Sequence, residues 1–219
     1  MSLQLLFDAL ALGGIYAIAA LGIALIFGVM RLVNFAHGQF IACAVFALIL
    51  PSTDAMAVLG LGRLLAPVLI QLMLAFGAGL AVLAEALVFR PMRNASPVAL
   101  MVGSFALGVA LQNLLLVLYG GRPKAVSLWA ELGQPVQIGS ASVPLLQLIV
   151  IAAVIVILAG LALMLRKTRI GLEMRAAAED FTMARMLGVR SNRVISGAFA
   201  LSGALAAVVA LVLVAQTGV

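Results

Sequence analysis

The chain has 219 residues, 66% of them apolar and only 9% charged, with a mean hydropathy of +1.30, far outside the range of soluble domains. A net charge of +6 does not mark a nucleic-acid binder, because seven of the thirteen Lys and Arg residues crowd one segment in which Glu173, Glu179 and Asp180 are interleaved with them. The single cysteine, Cys43, excludes an intrachain disulfide and a cysteine metal cluster.

The N-terminal MSLQLLFDAL has no basic n-region and leads into the apolar run 9–30, so it reads as a retained first span rather than a cleaved signal. The second run, roughly 35–50, is the weakest, since only the 13 residues 38–50 follow the polar cluster around His37; a run this short can be re-entrant. Further runs occupy 64–89, 98–119, 144–165 and 194–215, and the last two are each 22 residues long without an ionisable side chain. A bilayer core takes about 20 helical residues at roughly 1.5 Å each. The expectation is all-α: a polytopic transmembrane helical bundle of about six segments, one domain over residues 1–219, with no cofactor or metal bound by the chain. Small residues at helical spacing, Ala17, Ala20, Ala24 and Gly28 in the first span and Ser202 or Gly203, Ala206 and Ala210 in the last, suit close helix packing.

If the segments alternate, the connections 31–37, 90–97 and 166–193 share one side and carry ten Lys and Arg. The other side carries three, Arg63, Arg122 and Lys124. The positive-inside rule then puts segment 166–193 in the cytoplasm and the N-terminus outside. On the outer side, residues 120–143 form the longest connection, with Trp129 suited to the interface and a PVQIGSASVP stretch able to form a small hairpin.

Polar residues within the apolar runs are the candidates for a solute path. Asn34, His37 and Gln39 flank a helix break at Gly38, and broken helices at membrane depth often line a cavity. The same groups equally serve to satisfy backbone left unpaired at the break. Gln112 and Asn113 sit mid-run, where an unpaired amide costs a few kcal/mol, so they either bridge helices or line the path. Glu85 precedes Arg90 by five residues, which suits a local ion pair. His37 is the only histidine and makes a poor metal site.

Segment 166–193, RKTRIGLEMRAAAEDFTMARMLGVRSNR, holds ten of the twenty formal charges. Within it Met174, Ala177 or Ala178, Phe181 and Ala184 recur every three to four residues, while Arg175, Glu179, Thr182 and Arg185 fall elsewhere on the wheel. This predicts one amphipathic helix over about 174–187, stopped by Gly188, with Ser191 or Asn192 capping the helix that re-enters the membrane at Val194. On physics alone the helix lies against anionic headgroups or docks a soluble partner.

The sequence TRIGLEMRAAAEDFTMARMLGV closely resembles the cytoplasmic coupling loop of permease subunits from bacterial ABC importers of the branched-chain amino acid type. The stretches LGGIYAIAALGIALIFGVMRLVNFAHGQF and RPMRNASPVALMVGSFALGVALQNLLLVLYG resemble the LivH-like permeases as well. The resemblance implies an inner-membrane permease that works with two cytoplasmic ATP-binding subunits, a second, LivM-like permease and a periplasmic solute-binding protein. It also implies that Arg175, Glu179, Asp180, Ala184, Arg185 and Gly188 serve ATPase coupling. The family's usual Glu-Ala-Ala in this loop stands here as Thr182, Met183, Ala184, with Gly188 kept. Gln39 stands where many relatives have an acid, and the chain stops at Val219 where relatives continue through further spans, so a truncated chain is expected. No Gly-x-x-x-x-Gly-Lys-Ser/Thr phosphate loop occurs, so ATP would be hydrolysed on another subunit and this chain would be no enzyme. Two alternatives remain open at this point: an ATP-independent secondary transporter or channel for a small polar solute, and a membrane scaffold.

Overall fold

The computed structural model describes residues 3–51, 60, 64–122, 124, 129, 134–138 and 141–217. Eight α-helices and one hairpin follow in chain order: α1 (Leu3–Met30), α2 (His37–Ala47), α3 (Ala66–Ala84) continued by a π-helical turn (Glu85–Phe89), α4 (Pro97–Tyr119), β1 (Pro135–Ile138), β2 (Ala141–Pro144), α5 (Leu145–Lys167), α6 (Arg169–Glu179), α7 (Phe181–Met186) and α8 (Ser191–Thr217). Long apolar runs become helices because hydrocarbon offers no partner for backbone N–H and C=O, and a helix satisfies them internally. Their ends carry local signals. Pro97 occupies the first helical position of α4, behind Ser96, whose hydroxyl accepts from the Ala99 N–H at 3.2 Å.

Among the described residues, five helices are long and apolar enough to cross a membrane: α1, α3 with its π turn, α4, α5 and α8. The second expected segment, roughly 35–50, forms a helix too short to span. Helix α2 has 11 residues and so reaches only about 16 Å, because the break at residues 31–36 uses up chain that a full crossing needs. The hairpin expected in PVQIGSASVP forms, pairing Pro135 with Pro144 and Ile138 with Ala141. Arg63 lies outside the described residues.

Helix α8 is the centre of the bundle, with 61% of its most apolar stretch buried against 17% for α4 and for α5. It packs on α1, α2, α3, α5 and α6. Its closest approach is to α3, where a Cβ at Gly77 would stand 2.3 Å from the Gly203 carbonyl oxygen and one at Gly203 would stand 2.1 Å from that of Gly77. Only glycine permits that crossing, and Ala206, Ala207 and Ala210 continue it fully buried. The expected small-residue face of α8 is therefore its packing face. That of α1 is not: Ala20 and Ala24 are exposed, and α1 packs through Ile15, Ile18, Gly22, Ile26 and Val29 instead. On that face Ile15 and Ile18 pack with Val150 and Val154 of α5 and with Leu205 and Val209 of α8, burying more apolar surface than alanines would.

The loop between the fifth and sixth apolar runs also departs from expectation. Instead of one helix over 174–187, α6 begins at Arg169 and is interrupted at Asp180, which starts α7. Thr168 caps α6, accepting from the Gly171 N–H at 3.1 Å, and the Asp180 carboxylate caps α7, accepting from the Met183 N–H at 2.9 Å. The two caps outcompete a continuous helix. Helix α8 already starts at Ser191. The N–H groups of Arg193 and Val194 both reach the Arg190 carbonyl, so Arg190, rather than Ser191 or Asn192, holds the cap position.

Candidate functional site

All five long helices have one end on the side of α6 and α7, and two arrangements of polar groups stand out there. The first is the break between α1 and α2. Helix α1 ends with Arg31 at φ 55°, a left-handed conformation uncommon for a side-chain-bearing residue. The Asn34 carboxamide oxygen then accepts from the Ala36 N–H at 3.0 Å, and the Asn34 carbonyl from the His37 N–H at 3.3 Å. Asn34 thus supplies partners to backbone the break leaves open. His37 is buried between α1 and α8: its Nδ1 lies 3.1 Å from the Ser202 hydroxyl, and its ring lies so close to Gly22 that a Cβ there would stand 2.4 Å from Cε1. The Phe35 N–H donates to Ser104 on α4 at 3.2 Å. This short segment therefore ties together α1, α2, α4 and α8. Asn34 Nδ2 and His37 Nε2 are buried without a hydrogen-bond partner among the described residues. Polar atoms are thus held buried at the break.

Of the other three polar candidates, Gln39 stays beside this pair at the start of α2. Gln39 is half-buried, its side chain beside Gly108 of α4. Gln112 and Asn113 are exposed on α4, and the Asn113 amide donates to the Val109 carbonyl of its own helix at 2.8 Å. The structure brings Asn34 and His37 together and does not bring Gln112 or Asn113 to them.

The second arrangement is the α6–α7 unit. Met174, Ala177 and Ala184 are buried and Phe181 half-buried, while Arg175, Glu179, Asp180, Arg185 and Gly188 are exposed, as the helical wheel implies. Met174 rests on Gly197 of α8, and the Arg31 guanidinium donates to the Ala178 carbonyl. Helix α7 closes with the pattern that suits glycine: the Gly188 N–H bonds to the Arg185 carbonyl and the Val189 N–H to the Ala184 carbonyl, both at 3.0 Å, with Gly188 at φ 91°. Beyond what the wheel shows, Met183, Met186 and Leu187 are 54%, 76% and 80% exposed. They form an apolar tip that α7 offers outward. Its sequence signal is present, since three large apolar side chains flank the Gly188 stop on the face away from Ala184.

A buried ionic cluster anchors this end. Glu85 is fully buried in the π-helical turn, its ion pair with Arg90 closing at 3.3 Å as the five-residue spacing suggests. Arg93 joins the same carboxylate, and Ser196 of α8 donates to it at 2.9 Å. Arg93 also reaches the Asn192 side chain. Arg93, Ser196 and Asn192 are residues that sequence reasoning missed, because their partner is 8 to 111 positions away. The end of α3 and the start of α8 are thereby locked together beside α6 and α7.

The chain matches, over residues 5–219, the family described as the branched-chain amino acid transport system permease component. It is 28% identical over 231 residues to the high-affinity branched-chain amino acid transport system permease protein BraD of Pseudomonas aeruginosa, covering 99% of this chain and 72% of the relative. It is 30% identical to the permease protein LivH of the corresponding system of Salmonella typhimurium and to that of Escherichia coli, in each case covering 96% of this chain and 70% of the relative. No solved structure gives a significant match.

Proposed function

The chain belongs to the family of branched-chain amino acid transport permeases, and from that membership we propose that it is the membrane-spanning subunit of an ATP-driven importer for branched-chain amino acids. The family match across residues 5–219 carries this reading, because it runs through all five spans and the α6–α7 unit together. The protein is a multi-pass membrane protein. Its place is the bacterial inner membrane, with the N-terminus outside and α6–α7 in the cytoplasm. The charge distribution supports that orientation: ten Lys and Arg residues lie in the connections at the α6–α7 end.

The partners are cytoplasmic ATP-binding subunits, a second permease and a periplasmic solute-binding protein. ATP is hydrolysed on the separate subunits, and no bond of the solute is broken here. The tip of α7, with Met183, Met186 and Leu187 around Gly188, inserts into a groove of an ATP-binding subunit, and Arg175, Glu179, Asp180 and Arg185 flank it. A push on this tip reaches α8 directly, since Met174 packs on Gly197 and α8 follows Gly188 after two residues. Through Ser202 the same helix holds His37 at the break. Asn34 and His37, with Gln39 beside them, are the proposed contacts for the solute. Gln112 and Asn113, exposed on α4, are proposed to meet the second permease, where their amides gain partners that lipid cannot give.

Co-expressing the chain with ATP-binding and partner-permease subunits tests the reading. An ATPase is expected to co-purify with the chain and to be lost on Gly188→Val or on Leu187→Glu. Undiminished co-purification of both variants would remove α7 from the coupling role.

A further inference from the structure

A cavity of about 860 Å³ opens beside α7, where α1 ends and α8 begins. Five arginines line it: Arg31, Arg93, Arg185, Arg190 and Arg193. No Asp or Glu lines it, and among the described residues Arg185, Arg190 and Arg193 have no carboxylate within ion-pair distance. Two nearby acids are already engaged: the Asp180 carboxylate caps α7 and Glu85 holds Arg90, Arg93 and Ser196. One wall is the first turn of the 27-residue α8, at Ser191 and Asn192. A helix start presents unpaired N–H groups and partial positive charge. Arg93 Nε is buried without a partner. Arg93 is paired with Glu85, which leaves Arg31, Arg185, Arg190 and Arg193 as like charges around one cavity that repel each other unless an anion sits among them.

The remaining walls are apolar, from Val29, Met30, Leu100, Phe181 and Ile195. A charged rim above an apolar wall, at the level where spans leave the hydrocarbon, matches an amphiphile better than a free ion. We propose that this cavity is a binding site for a phosphate-bearing anion, supplied by the headgroup of an anionic glycerophospholipid. The phosphodiester sits among Arg185, Arg190, Arg193 and the α8 N-terminus, and the acyl chains run along Met30 and Leu100 towards the bilayer. Basic pockets between spans favour anionic headgroups in this way. Because Arg185 belongs to α7 and Arg190 and Arg193 to the start of α8, the bound lipid bridges the α7 tip to the central helix. The site does not depend on which solute the chain transports.

The test titrates the purified full chain, in detergent with any co-purifying subunits, with dioctanoyl phosphatidylglycerol, dioctanoyl phosphatidylcholine or inorganic phosphate. Phosphatidylglycerol is expected to bind at least about tenfold tighter than phosphatidylcholine, and Arg190→Gln and Arg193→Gln to weaken it about fivefold each. Arg190→Lys and Arg122→Gln, the latter at the opposite end, are expected to stay close to the parent. Equal binding of the two lipids, or glutamine variants that bind like the parent, would overturn the proposal. Inorganic phosphate that binds through these arginines without a lipid preference would overturn the lipid source. Glutamine variants that keep the lipid preference but shed the ATPase would show that the arginines serve an acidic protein surface, which also overturns it.

Discussion

The fully buried carboxylate of Glu85 accepts a hydrogen bond of 2.9 Å from the hydroxyl of Ser196, joining the π-helical end of α3 to the first turns of α8. Arg90 and Arg93 neutralise the same carboxylate. Removing one partner of a buried ion pair is costly because the other is left desolvated and unpaired. Glu85→Ala is therefore expected to destabilise the protein by about 3 kcal/mol, read as thermal unfolding in detergent. Arg90→Gln is expected to cost under about 1 kcal/mol, because the Arg90 side chain is 47% exposed. Equal effects of the two would mean that the pair is a surface feature.

The Gly77–Gly203 crossing yields a second expectation. Gly203→Ala puts a methyl 2.1 Å from a backbone oxygen that cannot swing aside, so α3 and α8 must part. The expected loss is about 2 kcal/mol, with Gly79→Ala, which meets nothing within 4 Å, close to neutral. A Gly203→Ala protein as stable as the parent would show that the helices are not in backbone contact.

The sequence made the spans, the outer hairpin, the Glu85–Arg90 pair and the Gly188 stop legible, because each rests on local composition or on spacing within one turn. It also warned that run 35–50 is short, but it put the break at Gly38, whereas Gly38 lies inside α2 and the chain breaks at residues 31–36. A glycine reads as a breaker until the backbone shows that Asn34 satisfies the open groups one turn earlier. The split of the loop helix was written in Asp180, yet a cap in mid-helix reads as an ordinary exposed acid until the backbone is seen. Ser202, Ser104 and Asn192 stayed hidden for a different reason: hydroxyls and amides in apolar helices acquire meaning only through distant partners. Gln112 and Asn113 show the reverse, being conspicuous in sequence yet exposed on α4.

The His37–Ser202 pair is expected to be energetically coupled. In a double-mutant cycle with His37→Phe and Ser202→Ala, the coupling term for a buried hydrogen bond is about 1 kcal/mol, read from thermal unfolding of the three variants. Strict additivity would mean that the contact contributes only packing.

Asp180→Ala removes the cap that divides the loop. The expected cost is about 1 kcal/mol, confined to α7, and visible as faster amide hydrogen exchange from Met183 onward while α8 is unchanged. Unaltered exchange at Met183 would show that the carboxylate does not hold that N–H.

The most direct test of the central claim is uptake of radiolabelled leucine by inside-out-controlled membrane vesicles carrying this chain with its partner subunits. Uptake is expected to require hydrolysable ATP on the α6–α7 side and to fall to background with Gly188→Val. Leucine uptake that proceeds equally without ATP, and is indifferent to Gly188→Val, would contradict the account.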